Sequence, residues 1–209
     1  MKKTHDNLNG ADLYHQFTDR GDGTQRLSFH VQDGDRWKDV TKQVWRPPFA
    51  KEWCEVHDQD RIHGFWGRYR WASNFFPKPI TVSGEFWGGS RDFPSSEHAY
   101  QFAKLPAEEQ SKWYQIICQY NCFQVKQWGR EIQIRSGWED LREPIMDEVV
   151  FAKFAQNQEP RELLLATKSA MLVEANWWGD VFFGVDPTAP VNGLNVLGRV
   201  LMKTRERLA

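Results

Sequence analysis

Glu97 and Lys104 are the residues whose types and spacing most invite chemistry. They lie in the stretch Phe93-Pro94-Ser95-Ser96-Glu97-His98-Ala99-Tyr100-Gln101-Phe102-Ala103-Lys104. On a helix, Glu97, Tyr100, Gln101 and Lys104 fall at i, i+3, i+4 and i+7, so four polar side chains share one face while Ala99, Phe102 and Ala103 turn inward. At 1.5 Å per residue the carboxylate and the amine are offset by roughly 10 Å along the axis. That is too far for an ion pair, and suited to bracketing a sugar from two sides. The same spacing fits an ordinary solvated helix face, and by itself it does not decide between the two.

Several local signals would position this stretch. Pro94 and the two serines predict a helix start with Ser95 or Ser96 capping exposed amides, and Pro106 interrupts after Lys104. Upstream, in Ser73-Asn74-Phe75-Phe76-Pro77, Asn74 either fixes a tight turn through its own backbone or aims its amide into a pocket beside Glu97. Ile80-Thr81-Val82, followed by Ser83-Gly84 and Phe86-Trp87, predicts a hairpin leading into the helix.

The chain of 209 residues fits one domain with an extension. With 27 basic and 28 acidic residues the formal charge is -1, so no global pull toward nucleic acid or anionic membrane follows, although a local basic groove stays open. Eleven tryptophans leave several available to stack on a planar ligand. Cys54, Cys118 and Cys122 form no paired framework, and the last two are expected as buried small hydrophobes. Cys54, His57 and His63 lack a fourth ligand at zinc-like spacing, so neither metal nor cofactor is expected. Without a signal-like start or a long apolar run, the expectation is a cytoplasmic protein with no membrane association and no obligate protein partner.

Residues 1 to about 25 are polar and glycine-bearing, and are expected to form a loosely packed arm. Leu27, Phe29 and Val31 alternate ahead of Asp33-Gly34, which predicts a β-hairpin over residues 26–44. After Pro106 the pattern is helical. One helix reaches about Tyr120 with Trp113, Ile116 and Ile117 inside, and a second is opened by Pro144 with Met146, Val149, Val150 and Phe154 on its apolar side. A third begins at Pro160 and carries Leu163, Leu164 and Leu165. The last starts near Leu194, with Lys203, Arg205 and Arg207 in turns where cations suit the helix dipole.

Longer-range order adds a resemblance. Ser73-Asn74-Phe75-Phe76-Pro77, Ser96-Glu97-His98 with Gln101 and Lys104, and Trp138 ahead of Met146 come first. Lys153-Phe154-x-Gln156-Asn157, Leu172-Val173-Glu174 with Asp180, and Gly193-Leu194-Asn195-x-Leu197-Gly198-x-x-Leu201-Met202-x-x-Arg205 follow. This ordered series, from about Phe65 to Leu208, resembles the NADAR, or YbiA-like, superfamily. The resemblance implies cleavage of N-glycosidic bonds, in ribosylamine phosphates of riboflavin synthesis or in ADP-ribose attached to guanine. It also implies that Glu97, Lys104, Trp138 and Asp180 occupy active-site positions. One departure is Asp180-Val-Phe-Phe183-Gly184, where many members have a tryptophan before the glycine; the aromatic is kept and the indole donor is lost. The expected fold class is α+β, mainly α-helical: a YbiA-like single domain over residues 64–209 with an N-terminal β-hairpin extension over residues 1–63.

Cleaving a ribose C1'–N bond builds oxocarbenium character, so the site needs a carboxylate near C1', a proton source for the leaving nitrogen, and water. Glu97, near a helix start, is favoured as the anion. Lys104 offers another route, attacking C1' of the ring-opened sugar to hold it as a Schiff base. Trp138 would stack a base, or anchor the core at a helix start. Asp180 would bind ribose hydroxyls or a base amine, or serve as a turn residue beside Gly179. Amides at Gly193-Leu194-Asn195 would hold a phosphate, or only start a helix. Asn74, Tyr100, Gln101, Phe183 and Asn195 complete the expected substrate contacts. The expected activity is metal-independent N-glycoside hydrolysis of an ADP-ribosyl adduct on guanine or a related nucleotide, with a small-molecule nucleotide or ADP-ribosylated nucleic acid as substrate. Two alternatives are a hydrolase of riboflavin-pathway ribosylaminopyrimidine phosphates and a non-catalytic binder of NAD-derived nucleotides.

Overall fold

The computed structural model describes residues 1–8, 10–19, 25–41, 57–58, 61–176, 178–186 and 193–209. Two compact units account for them: residues 1–68 with 169–199, and residues 69–168 with 200–209. The strands are β1 (Lys2–Leu8), β2 (Ala11–Asp19), β3 (Gln25–Asp33), β4 (Arg36–Asp39), β5 (His57–Asp58), β6 (Arg61–His63), β7 (Ile80–Val82), β8 (Arg91–Phe93) and β9 (Met171–Val173). The longer helices are α1 (Ser96–Ala103), α2 (Ala107–Ile117), α3 (Cys122–Glu131), α4 (Trp138–Gln156), α5 (Gln158–Ala166) and α6 (Val196–Leu208). Small sheets and dominant helices make this an α+β, mainly helical protein, the class the sequence predicts. No helix among the described residues is long and apolar enough to cross a membrane.

In the first unit, β1 to β4 form an antiparallel sheet in chain order. The β3–β4 hairpin is the one expected, with Gly34 at positive φ in its turn. Val44 and Cys54 lie outside the described residues. The expected loose arm is instead β1 and β2, with β2 paired to β3 from Leu13↔Val31 to Asp19↔Gln25. Leu13, Phe29 and Val40 are buried. Polar sequence hides β1 because an edge strand needs little burial: Lys3 pairs with Asp12 at 2.6 Å, both exposed. A second sheet joins β5, β6 and β9, with Ile62 opposite Leu172 in a parallel pair.

In the second unit, the predicted hairpin is β7 with β8, joined through a 3-10 turn at Glu85–Trp87. It delivers the chain to α1, which packs against α3 and α4 and is buried along its whole length. A solvated polar face is therefore excluded. Asn121 starts α3 with a capping box, its side chain accepting from Phe123 and Gln124 while Gln124 reaches back. The helix expected from Pro144 begins earlier, at Trp138, and the proline lies inside it. Gly137 turns the chain from a left-handed conformation (φ 71°), and Glu139 and Asp140 suit the first turn, so the start is set before the proline. Two apolar stripes are narrower than expected, since Ile117 and Leu164 are buried while Ile116 and Leu163 are exposed. The basic end of α6 is tied by side chains, Lys203 and Arg207 to Asp147 and Arg205 to Thr167.

Candidate active site

Three side chains of α1 and one that follows it are organised from both ends. The carbonyl of Asn74 accepts the Glu97 amide at 3.2 Å, fixing the start of the helix. The tight turn upstream is made by Ser73, whose Oγ accepts from Phe75 and whose carbonyl accepts from Phe76. Asn74 is thereby left to face α1 and α4. Its Nδ2 reaches Met146 Sδ at 3.1 Å, and its Oδ1 is buried without a hydrogen-bond partner. Glu97 is 5% exposed, and Gln101 Nε2 donates to Glu97 Oε1 at 2.9 Å. The carboxylate is thus oriented along the helix by a neighbour one turn on.

Lys104 follows α1 and carries its amine over two rings. Nζ lies 5.6 Å from the Tyr100 centroid and 5.8 Å from that of Trp138, whose rings meet edge-on at 5.3 Å. Burial pushes the amine below its ordinary value; Glu97 opposes that, while Lys126 and Arg130 add to it. Desolvation comes from Tyr100 and Trp138, whereas Phe102 turns away to Phe93 and Tyr114. Trp138 is itself buried, so the indole walls the amine as well as anchoring the start of α4.

Close approach of α3 completes this arrangement. A Cβ at Gly129 would overlap the Gln101 side-chain carbonyl, so glycine alone leaves Gln101 its place against Glu97. Gly129→Ala is expected to cost about 1–3 kcal/mol of stability by overpacking. It should also lower turnover, because the displaced Gln101 no longer orients the carboxylate. Unfolding curves and steady-state rates check both, and parental values in each would show that Gln101 does not depend on this contact.

Neither serine caps α1 as expected. His98 Nε2–H donates to the Tyr120 carbonyl at 2.8 Å, leaving Nδ1 to accept from Ser95 Oγ at 2.8 Å. The Ser95 hydroxyl is therefore committed, and no side-chain cap bond forms. Burial lowers the His98 pKa. Cys118 and Cys122 are half-buried free thiols, and burial raises both pKa values.

Lys153 is a residue whose role sequence reading missed. It is fully buried on α4 and donates to the Ser73 carbonyl at 2.8 Å, one residue before the carbonyl that receives Glu97. Burial pushes its amine down to about 7. The signal was present: Met146, Val149, Val150 and Lys153 fall at i, i+3, i+4 and i+7, which puts a lysine on an apolar stripe.

Asp180, Phe183 and Asn195 belong to the first unit, whereas Asn74, Glu97, Tyr100, Gln101, Lys104 and Trp138 belong to the second. Asp180 Oδ1 accepts the amides of Phe182 and Phe183, as a turn residue does. Phe183 packs edge-on to Phe182 at 4.8 Å. Asn195, at φ 51°, accepts from the Glu174 amide and donates to the Leu172 carbonyl. The amides of residues 194 to 197 are bonded to carbonyls of residues 181 to 184, so two of the three amides expected to be free for a phosphate, those of Leu194 and Asn195, are occupied. Among the described residues no group of three or more His, Cys, Asp or Glu side chains is placed to hold a metal ion.

The family model described as the NADAR domain matches residues 64–209. The chain belongs to the NADAR family. It is 35% identical over 158 residues to N-glycosidase YbiA of Escherichia coli (strain K12), covering 72% of this chain and 91% of that protein. It is 34% identical over 184 residues to a protein of Vibrio vulnificus (strain YJ016) named riboflavin biosynthesis protein VVA0006, covering 81% of this chain and 41% of that protein. Among solved structures, the NMR structure of E. coli YbiA matches with a TM-score of 0.58 at 32% identity, over 76% of this chain and 90% of that one.

Proposed function

We propose that this NADAR-family protein is an N-glycosidase that hydrolyses the ribose C1'–N bond of an ADP-ribosyl adduct on a guanine base, or of a related nucleotide. N-glycosidase activity as a class is supported by the family and by relatives that carry that name. The mechanism rests on one observation: an amine desolvated over Tyr100 and Trp138 stands one short helix away from a buried, oriented carboxylate. Neutral Lys104 adds through its lone pair to C1' of the ring-opened sugar. The C1'–N bond then breaks, and the leaving nitrogen takes the bonding pair together with a proton that Glu97 relays from the new C–N centre. Water adds to the resulting Schiff base, releasing the sugar and regenerating the amine. Glu97 also opposes the positive charge that builds at C1'.

Relatives named for riboflavin biosynthesis favour a second reading, in which the substrate is a ribosylaminopyrimidine phosphate. Incubation with ADP-ribosylated guanine DNA and with such a phosphate, scored for free base and free sugar, separates the two. Binding without release of either product would make the protein a non-catalytic binder. Glu97→Gln keeps the size of the side chain and removes its charge. It should lower turnover by about a hundredfold or more while leaving fold and ligand affinity near the parent's. Comparable turnover in the two proteins would take Glu97 out of the mechanism.

A further inference from the structure

Helix α3 presents Lys126 and Arg130 one turn apart on the same side. Gly129, between them in sequence, is where α3 meets Gln101, the residue that orients Glu97. Lys126 lies with Nζ 5.4 Å from the Phe75 centroid, next to Asn74, whose carbonyl holds the Glu97 amide. Both cations are close enough to Lys104 to depress its amine. Neither has an ion-pair partner among the described residues. Two cations without ion-pair partners thus stand by Lys104 and Glu97 in a chain whose overall charge is only -1. Gathered like charges without counter-ions repel, and a bound anion relieves that repulsion.

We infer that Lys126 and Arg130 form the subsite for phosphate esters on the sugar side of the substrate. Arginine offers the planar fork that fits a phosphate, and lysine supplies a point charge beside it. The subsite rests on the N-glycosidase reading for its place in a reaction. As an anion site, it rests on the geometry of α3 alone. The two sources of such an ester are a 5'-monophosphate and the diphosphate of an ADP-ribosyl group.

The test uses the full chain and three N-ribosyl substrates with the same base: one without phosphate, one 5'-phosphorylated and one ADP-ribosylated. The parent should favour a phosphorylated substrate by at least about tenfold in kcat/KM, as expected for charge-assisted hydrogen bonds. Lys126→Ala and Arg130→Ala, compared on the high-pH plateau where Lys104 is neutral in parent and variants alike, should each erode that preference through KM and leave turnover of the phosphate-free substrate unchanged. Below the plateau all three substrates should slow together, because each cation helps to depress Lys104. The phosphorylated arm that loses more identifies the source. On the plateau, an unchanged preference, or equal loss on all three substrates, would overturn the subsite. Calorimetric titration with inorganic pyrophosphate gives an answer independent of turnover. Salt-sensitive binding by the parent, weakened about tenfold or more in both variants, supports the inference even if no substrate turns over, an outcome that would refute the N-glycosidase reading only. Absent binding, or equal binding by parent and variants, overturns the subsite.

Discussion

Lys104→Arg should fold normally and lose turnover on the order of a thousandfold, because a guanidinium stays protonated and cannot form an imine. Borohydride added to the parent during turnover should trap a sugar on the protein, and digestion should place the added mass on Lys104. The pH dependence carries the same signature. Burial over Tyr100 and Trp138 holds the amine below the ordinary 10.5, with Lys126 and Arg130 assisting against Glu97. The neutral amine is the reactive form, so turnover should rise with pH along a limb lying below that ordinary value. Trp138→Ala should move the limb upward by readmitting water. Appreciable activity of the arginine variant with no trapped adduct would reduce Lys104 to a clamp and leave Glu97 with water as the working pair.

Local signals made the centre of the candidate site legible. Spacing put Glu97, Tyr100, Gln101 and Lys104 together, and α1 runs between the predicted limits to within a few residues. Burial of that polar face was not legible, because the covering residues come from α3 and α4, which lie well beyond α1 in the chain. Gly129 illustrates the difficulty: a glycine within a helix reads as a local weakness, and only the packing of α3 on α1 makes it a requirement. The β6–β9 pair joins residues more than 100 positions apart, and no three-residue strand announces its partner. Asp180 was conspicuous beside Gly179, and its side chain serves the amides of Phe182 and Phe183, the turn role also open to it. The Asn195 side chain bonds the Glu174 amide and the Leu172 carbonyl, 21 and 23 positions away, which no local signal announces.

Lys153→Met should stabilise the protein at and below neutral pH, and by less as the pH rises. The amine is fully buried and pushed from 10.5 to about 7 by desolvation, so holding it as a cation costs folding on the order of 5 kcal/mol in acid. Between about 7 and 10.5 the unfolded chain binds a proton that the folded chain does not, so the parent gains stability with rising pH across that window. Below it both states are protonated and the cost is complete. Cys122 is the group that opposes the shift, and its own thiol is raised by burial, so it supplies no anion in acid. Methionine fills similar space, and the Ser73 carbonyl keeps its bond from the Phe76 amide. Chemical unfolding of both proteins near pH 6 and near pH 9 should therefore show the variant's advantage shrinking by a few kcal/mol. A variant less stable than the parent near pH 6 would mean that the bond to Ser73 and the aromatic faces of Phe76 and Phe154 outweigh the burial of the charge.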